Sequence, residues 1–246
     1  MPQNIYDDPT FFAGYSRLPR SVHGLDAAPE WPVLRAMLPE LRSKRVLDLG
    51  CGFGWFARWA RASGADSVHG IDVSERMLAR ARAETTDDRV TYSRADLDRL
   101  EFPPANFDLV YSSLALHYLE RLDVVLERVH RALTPAGRLV FSVEHPMFTA
   151  PRQAGFIVHP AGHSSWPVDA YFDEGARVRD WLAPGVIKQH RTLATYLRLL
   201  RQAGFALSEL HEWGPSERDL AEHPEWRDER ERPAFLLVAC RPDTPA

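Results

Sequence analysis

Cysteine is scarce in this chain, neither sign of charge dominates, and long apolar runs are missing. The 246 residues include two cysteines, Cys51 and Cys240, too few for a disulfide framework or a cysteine-based metal site, so we expect a reducing, cytoplasmic environment. The 30 basic and 34 acidic residues give a net charge of −4, which offers no overall attraction for a nucleic-acid backbone. No apolar stretch approaches the roughly 20 residues that span a bilayer. No signal-peptide pattern opens the chain, and we expect neither nucleic acid nor membrane as a partner.

The remaining composition is that of a globular α/β protein. Hydrophobic residues make up 45% of the chain and charged residues 26%, which is ordinary for a folded domain. Strand patterns alternate with helix patterns, and this alternation indicates a parallel sheet with helices on both faces. The strand patterns cover residues 45–49, 67–71, 90–93, 107–111, 138–143, 206–210 and 234–240.

Two segments interrupt the alternation. The residues before 45 are rich in aromatics, and residues 144–190 show no sustained period. A segment of the second kind is usually a lid or substrate-binding loop, or it carries extra local structure. We expect a single domain over residues 1–246, with an N-terminal flap at about 1–44 and a lid or substrate insert at about 144–190.

Three glycines at alternate positions, Gly50, Gly52 and Gly54, follow the first strand. Glycine allows a sharp turn and lets a ligand approach the main chain closely. A turn between a buried strand and a helix N-terminus also gathers free N–H groups, which suit an anionic or carboxylate-bearing ligand. The dinucleotide pattern G-x-G-x-x-G needs a third glycine where this chain has Trp55, because helix and strand pack closely there. The turn therefore favours a nucleotide-like cofactor other than a dinucleotide.

The motifs that accompany this turn point to one cofactor class. In chain order they are Asp48-Leu49-Gly50-Cys51-Gly52-Phe53-Gly54, Gly70-Ile71-Asp72-Val73-Ser74, Ala95-Asp96-Leu97, Phe107-Asp108-Leu109-Val110-Tyr111-Ser112-Ser113 and Leu133-Thr134-Pro135-Ala136-Gly137. The succession resembles the class I S-adenosylmethionine-dependent methyltransferases over about residues 46–143 and, more loosely, in the last two strands. It looks like the branch that methylates small metabolites. The resemblance implies a Rossmann-like, seven-stranded, mostly parallel sheet with the last strand antiparallel, and S-adenosyl-L-methionine as cofactor.

The resemblance also implies roles for residues around the turn. Asp48 would orient the turn, or meet the amino group of the ligand through water, unless it merely satisfies loop amides. Asp72 would accept both ribose hydroxyls, since a carboxylate receives two donors at once; its alternative role is to cap the next helix. The residues that would pass under the methionine part and the ribose are Gly50, Cys51, Gly52 and Gly54.

A second group would surround the adenine and the sulfonium. The resemblance implies that Val73 and Met77 pack on the adenine faces, and that Asp96 accepts from the adenine amino group. The Leu97 N–H would meet a ring nitrogen, and Ser112 would lie beside the sulfonium. Met77 in the ordinary core and Asp96 as a loop acid are the alternatives.

The N-terminal segment is expected to cover the cofactor. Phe12 and Tyr15 would exclude water from the site, with Phe12 facing the substrate. Arg20 would meet the cofactor carboxylate by a fork-like pair. A surface helix packed on the sheet edge is the other reading of this segment.

Methyl transfer from a sulfonium depends mainly on alignment in a dry pocket, and a base is needed only if the acceptor loses a proton. His145, in the Glu144-His145-Pro146 motif after the fifth strand, is the first candidate for a base or polar anchor, and His117 is the second. A packed structural histidine is equally compatible with either position. The aromatics Tyr118, Trp166, Tyr171, Phe172 and Trp181 line an acceptor pocket or a satellite core. No tight ligand spacing predicts a metal.

Three functions remain open from the sequence. The first is methyl transfer to a small molecule by in-line displacement, by a monomer or homodimer. The second is the same chemistry on RNA or protein, which the acidic balance and the absence of an Asn/Asp-Pro-Pro-Tyr/Phe signature after the fourth strand disfavour. The third is a non-catalytic protein that binds the cofactor. The acceptor and the methylated atom (O, N, C or S) are not determined by these motifs.

Overall fold

The alternating pattern forms one seven-stranded sheet in the computed structural model, which describes residues 3–243. Two short two-stranded sheets lie in the segment after the fifth strand. The strands are β1 (Arg45–Leu49), β2 (Ser67–Asp72), β3 (Val90–Arg94), β4 (Phe107–Ser113), β5 (Leu133–Glu144), β6 (Ile157–Val158), β7 (Ser164–Ser165), β8 (Gly175–Trp181), β9 (Ala183–His190), β10 (Phe205–Trp213) and β11 (Phe235–Pro242).

The helices lie between the strands, as the sequence patterns predict, with three more before β1. They are α1 (Pro9–Tyr15), α2 (Pro19–His23), α3 (Trp31–Met37), α4 (Trp55–Ala62), α5 (Glu75–Ala83), α6 (Leu122–Ala132), α7 (Pro146–Thr149), α8 (Leu193–Gln202) and α9 (Glu217–Glu222). Short 3-10 turns occupy Ile5–Asp7, Gly24–Ala27, Leu116–Tyr118 and Pro224–Glu231.

The strand order in the main sheet is β10-β11-β5-β4-β1-β2-β3. The pairs within β3, β2, β1, β4 and β5 are parallel, while β11 is antiparallel to both β5 and β10. The prediction of a Rossmann-like, mostly parallel sheet with an antiparallel last strand is confirmed. The order reverses beside β1, and ligands bind at such a switch point, beyond the carboxyl ends of the strands.

Two apolar cores hold the helices against the sheet. One face of the sheet packs against α6 and α8, and the other against α3 and α4. Leu109 in β4 and Leu237 in β11 are fully buried, because helices cover both faces of these strands. Strands in such a position carry nearly continuous apolar runs. Since the helices cover both faces, the open carboxyl edge is left for a ligand.

The structure differs from the sequence patterns in two places. Strand β5 begins at Leu133 rather than near residue 138, because Leu133 already pairs with Phe107 of β4. The segment 144–190 is also more regular than its lack of period suggested. It contains α7 and the two hairpins β6–β7 and β8–β9, whose exposed faces vary too much in polarity to show strict alternation.

The N-terminal segment is tied to the sheet edge by polar contacts. The Asp7 carboxylate accepts bonds from the Ser74 hydroxyl and from the Arg76 N–H at 3.1 Å, both at the start of α5. Farther along, Trp31, Leu34 and Met37 of α3 are buried in the core beside α4. Within residues 3–243, no helix has the length and apolar character needed to cross a membrane.

We expect Leu109→Ala to lower the free energy of unfolding by about 2–5 kcal/mol, because the truncation leaves a cavity in the middle of the sheet. Leu207→Ala, at a β10 position whose residue is 49% exposed, serves as the matched control, with a change within about 0.5 kcal/mol. Urea unfolding of both variants measures the difference. Equal losses would contradict the position assigned to the core.

Candidate active site

A cavity of about 410 Å³ opens at the carboxyl edge of the sheet. Its walls come from the ends of β1, β2, β4 and β5, from the N-terminal segment and from the end of β8. The residues expected around the cofactor that line it are Tyr15, Arg20, Asp48, Gly50, Cys51, Gly52, Asp72, Val73, Met77, Asp96 and Leu97. The predicted acceptor-side residues that line it are His117 and Tyr118.

Asp72 joins the glycine turn to the start of α5. Its Oδ2 accepts from the Gly52 N–H and its Oδ1 from the Ser74 N–H, each at 2.9 Å. Burial raises the pKa of Asp72, and the backbone donors of Ser74 and Gly52 oppose that rise. A carboxylate has about four acceptor positions, so two backbone bonds leave room for ligand hydroxyls. Asp72 therefore organises the turn and remains able to bind.

The glycine turn does not present the free amides that its position before α4 suggested. The N–H groups of Gly50 and Cys51 both donate to the Ile71 carbonyl, at 2.8 and 3.0 Å. The Gly54 N–H donates to the Cys51 carbonyl at 2.8 Å, and Gly52 is bound to Asp72. The expectation of a cluster of free N–H groups is wrong for these four residues, because the turn satisfies its own donors.

Gly50 and Gly52 both have a backbone conformation that favours glycine, and Gly50 is required by space as well. Gly50 has φ +73°, and a Cβ there would lie 2.3 Å from the Ala115 Cβ. Gly52 has φ +52°, but an added Cβ would meet no described atom within 4 Å, so its main chain is open to a ligand. A flat or narrow ligand group can therefore lie directly on this turn.

At the cavity, the Oδ2 atoms of Asp48 and Asp96 each lack a hydrogen-bond partner among residues 3–243, and the Asp96 Oδ2 lies 3.5 Å from the Arg99 Nε in an ion pair. Asp48 is 2% exposed, and burial together with the nearby Asp72 raises its pKa well above the usual range. Buried polar atoms normally have a partner. These oxygens fit donors on a ligand, such as the amino groups of the methionine part and the adenine.

The N-terminal segment contributes an arginine, fixed by an ion pair, to the same cavity. The Arg20 Nη2 lies 3.0 Å from Oε2 of Glu30, which is itself fully buried. Tyr15 lies beside Phe53 with ring centroids 5.8 Å apart. A guanidinium fixed in this way is suited to a carboxylate on a ligand.

Several predicted site residues are not among the described residues that line the cavity: Phe12, Gly54, Ser112, His145, Trp166 and Tyr171. Ser112 is buried and donates to the Leu49 carbonyl at 2.8 Å, while Gly54 caps α4 beside Tyr92. Phe12 packs edge-on against Phe53.

Two of the insert aromatics belong to local structure. The Trp166 Nε1 donates to the Met147 carbonyl at 2.8 Å, and its ring stacks on Phe148. The Tyr171 hydroxyl accepts from the Leu193 N–H at 3.2 Å, and Tyr171 lines a separate surface pocket. Of the two interpretations, the satellite core describes both residues better.

His145 has both ring nitrogens occupied by the protein. Its Nδ1 accepts from the Met147 N–H at 3.0 Å and caps α7, and its Nε2 lies 2.9 Å from Oε1 of Glu212. Burial lowers its pKa, which keeps it neutral, so that Nε2–H donates to Glu212. Its geometry is that of a structural histidine, and the structure does not bring it to the cavity as a base.

His117 does line the cavity, in a form that cannot take up a proton near neutral pH. Its Nδ1 accepts from the Glu144 N–H at 3.4 Å, and desolvation lowers its pKa to about 4. The ring is therefore neutral, with its proton on Nε2. His117 offers a donor to the cavity rather than the base proposed from the sequence.

Sequence reasoning missed several lining residues, among them Tyr6, Trp55, Tyr111, Glu144 and Phe148, whereas Trp181, one of the insert aromatics, does line the cavity. Glu144 had a local signal, since it ends β5 at the carboxyl edge beside His145. Tyr6 had none, because it reaches the cavity through the path of the N-terminal segment. In the described chain, no group of three or more His, Cys, Asp or Glu side chains is arranged to hold a metal ion.

Comparison with known proteins gives the family. Residues 47–141 match the model of a methyltransferase domain. A solved S-adenosylmethionine-dependent methyltransferase from Mesorhizobium loti is 52% identical, covers 89% of this chain and 100% of its own, and superposes with a TM-score of 0.85. The chain belongs to the S-adenosylmethionine-dependent methyltransferases. An uncharacterized protein from Haemophilus influenzae is 31% identical over 97% of this chain and 96% of its own.

The methyltransferase uses S-adenosylmethionine as its cofactor, and the cavity fits that molecule. The cofactor supplies a methyl group on a positively charged sulfur. Asp72 suits its ribose hydroxyls, Asp96 its adenine amino group, and Asp48 its methionine ammonium, while Arg20 suits its carboxylate. Met77 and Leu97 supply apolar walls, at 1% and 7% exposure. These assignments rest on the chemistry of the donor and acceptor groups.

We expect Asp72→Ala to weaken the binding of S-adenosylhomocysteine at least tenfold, or about 1.4 kcal/mol, because hydrogen bonds to a charged group contribute roughly 1.5–3 kcal/mol. Isothermal titration calorimetry measures the affinity. Asp66→Ala, just before the opposite end of β2 and with its side chain 51% exposed, is the control and should keep the affinity. An unchanged affinity in Asp72→Ala would remove Asp72 from the site.

His117 predicts a pH dependence of stability. Its folded-state pKa of about 4 lies below the usual value of about 6.5. Between these two pH values the imidazole is protonated in the unfolded chain and neutral in the folded protein. The stabilisation is complete above about pH 6.5 and is lost as the pH falls towards 4. Between about pH 7.5 and about pH 5, His117→Gln should lose about 2 kcal/mol less than the parent.

Urea unfolding at the two pH values measures this difference. His211→Gln, at an exposed position in β10, is the control and should follow the parent. If His117→Gln and the parent lose the same free energy of unfolding on acidification, His117 does not account for the dependence.

Proposed function

We propose that this methyltransferase transfers the methyl group to a small-molecule acceptor by in-line displacement. The observation that carries the proposal is the continuity of one cavity, of about 410 Å³, from the cofactor turn to the end of β5. Ligand pockets range over about 300–1,000 Å³, so this volume is modest for a site that receives cofactor and acceptor together. A small acceptor suits the space that the cofactor leaves.

The roof over the cavity, which consists of the N-terminal segment and the β8–β9 hairpin, supports the same proposal. The Tyr6 hydroxyl lies 3.2 Å from the Tyr118 hydroxyl, which joins the N-terminal segment to the turn after β4. The Gln3 side chain donates to the Gly185 carbonyl and accepts from the Ile187 N–H, at 2.7 and 2.9 Å. We infer that the N-terminal segment and the β8–β9 hairpin act as the flap and the lid. A surface closed in this way favours a small molecule over an RNA or protein substrate.

The chemistry of such a site is mainly alignment. Tyr6, Tyr15, Trp181 and Phe148 provide aromatic walls, which exclude water and hold an acceptor in a fixed orientation. Holding the reactants in line in a dry cavity is a sufficient source of acceleration for a displacement with a good leaving group. No histidine is assigned as a base, and the neutral His117 remains available as a donor.

A relative with a stated acceptor bears on the substrate. Malonyl-[acyl-carrier protein] O-methyltransferase from Enterobacter lignolyticus is 39% identical over 109 residues, 44% of this chain and 42% of its own. The chain spans less than half of that protein, so the likeness supports methylation without carrying over the acceptor. The free, buried thiols of Cys51 and Cys240 support the further proposal of a reducing, cytoplasmic location.

A screen of purified protein against small metabolites, scored by release of S-adenosylhomocysteine, tests the proposal. We expect turnover with a member of the small-molecule set and none with total RNA or with a protein extract. The Asp72→Ala variant controls for release that does not depend on the site. Release with RNA or protein alone would overturn the small-molecule acceptor, and cofactor binding without turnover in any arm would favour a non-catalytic role.

A further inference from the structure

Glu144 is a carboxylate at the acceptor end of the cavity, and one of its oxygens has no hydrogen-bond partner within the described chain. It lines the cavity at the end of β5, and its side chain is 14% exposed. Oε1 forms an ion pair with the Lys188 ammonium, whereas Oε2 is buried and has no partner within the described chain. A buried acceptor without a donor costs free energy, so this oxygen is suited to a donor on a ligand.

The position of Glu144 separates it from the cofactor residues. Strand β4 lies between β1 and β5 in the sheet, and Ser113 of β4 pairs with Ser142, two residues before Glu144. The Glu144 N–H also donates to His117. On the other side of β4, Asp48 is the next-to-last residue of β1 and Asp72 is the last residue of β2. Glu144 therefore faces the part of the cavity that the cofactor assignments leave free.

Lys188 holds the Glu144 carboxylate in one place. Its side chain is 6% exposed, and its ammonium lies 4.8 Å from the Trp181 ring centroid and 5.9 Å from that of Tyr118. Cation–π contacts and the ion pair together fix the ammonium. Lys188 is not among the described lining residues, so it neutralises Glu144 from the side that faces away from the cavity. The pair carries no net charge, and the remaining polar function is an acceptor.

Arg179 and Arg232 also interact electrostatically with Glu144, but neither is among the described residues that line the cavity. Arg191 donates to the main-chain carbonyls of Leu119 and Glu120, and it too is missing from the described lining residues. The surfaces around Glu144 are instead aromatic, from Tyr6, Tyr118 and Trp181. An apolar body with one donor group matches these walls.

We propose that Glu144, held by Lys188, binds the O–H or N–H group of an uncharged, largely apolar acceptor. The inference rests on the proposed function, because it names the substrate class of the same cavity. A free carboxylate acceptor is a poor match, since its oxygen would meet Glu144 Oε2 without a proton between them. The acceptor group is thus a hydroxyl or an uncharged amine, and the Glu144 bond sets its orientation.

Matched aromatic probes test the inference without turnover. Phenol carries an O–H, aniline an N–H, anisole the phenol skeleton with its proton replaced by methyl, and benzoate a carboxylate. Their affinities for the S-adenosylhomocysteine-loaded protein are measured by ligand-observed NMR. We expect phenol or aniline to bind at least tenfold more tightly than anisole and benzoate. The order of phenol and aniline distinguishes hydroxyl from amine acceptors. Equal binding of phenol, aniline and anisole, or tightest binding of benzoate, would overturn the inference.

The double variant Glu144→Leu with Lys188→Met assigns the preference to this pair. Replacing both members of a buried ion pair by apolar residues of similar size often leaves stability unchanged, and the free energy of unfolding is measured to confirm folding. We expect the preference over anisole to fall to about twofold or less while the affinity for S-adenosylhomocysteine is retained. The matched control is Glu75→Leu with Arg82→Met, an exposed pair on α5, and it should keep the preference.

A preference that persists in the double variant would contradict the role of Glu144. If the double variant does not fold, the order of the four probes on the parent protein still decides the substrate class. Failure of the proposed function is read separately, from the metabolite screen. Release of S-adenosylhomocysteine with RNA or protein alone overturns the small-molecule acceptor, whatever the probes show.

Discussion

The cofactor site depends on one buried carboxylate, that of Asp72. It accepts a bond from the Gly52 N–H and another from the Ser74 N–H, so it joins the turn after β1 to the start of α5. The hydroxyl of Ser74 in turn caps α5 and donates to Asp7 in the N-terminal segment. Desolvation raises the pKa of Asp72, and a ligand that donates to this carboxylate offsets that cost. The Asp72 carboxylate thereby connects the glycine turn, helix α5 and, through Ser74, the N-terminal segment.

The roof has a consequence for the chemistry. Aromatic side chains from the N-terminal segment and from the β8–β9 hairpin meet above the strand ends. The ring centroids of Phe11 and Trp181, for example, are 5.4 Å apart. Few polar groups remain on the acceptor side, so each of them carries more of the recognition. Burial makes His117 neutral, and the Lys188 pair neutralises Glu144. The acceptor side of the cavity combines low net charge with directional hydrogen bonds, which suits positioning better than proton transfer.

The histidine assignments show where reasoning from motifs ended. His145 and Glu144 are adjacent in the sequence, and a titratable imidazole after a core strand is a reasonable candidate base. Successive residues at a strand end point in different directions, so only one of the two lines the cavity. His145 is held by the N-terminus of α7 and by Glu212, sixty-seven positions away in the chain. No local pattern identifies that partner.

The sequence by itself determined the sheet and its carboxyl-edge site, because these depend on local patterns: buried strands, a glycine turn and acidic residues near the ends of successive strands. The methyl donor followed from the resemblance of those motifs to a known family. Eleven of the predicted cofactor residues line the cavity, and nine of them lie at the ends of β1 and β2 or in the segments that follow β1, β2 and β3. The tertiary structure decided the rest. Trp166 and Tyr171 pack locally, whereas Tyr6 and Trp181 reach the cavity, and the turn amides are satisfied internally. Such contacts join residues far apart in the chain, and their geometry follows from packing of the whole fold rather than from spacing within a motif.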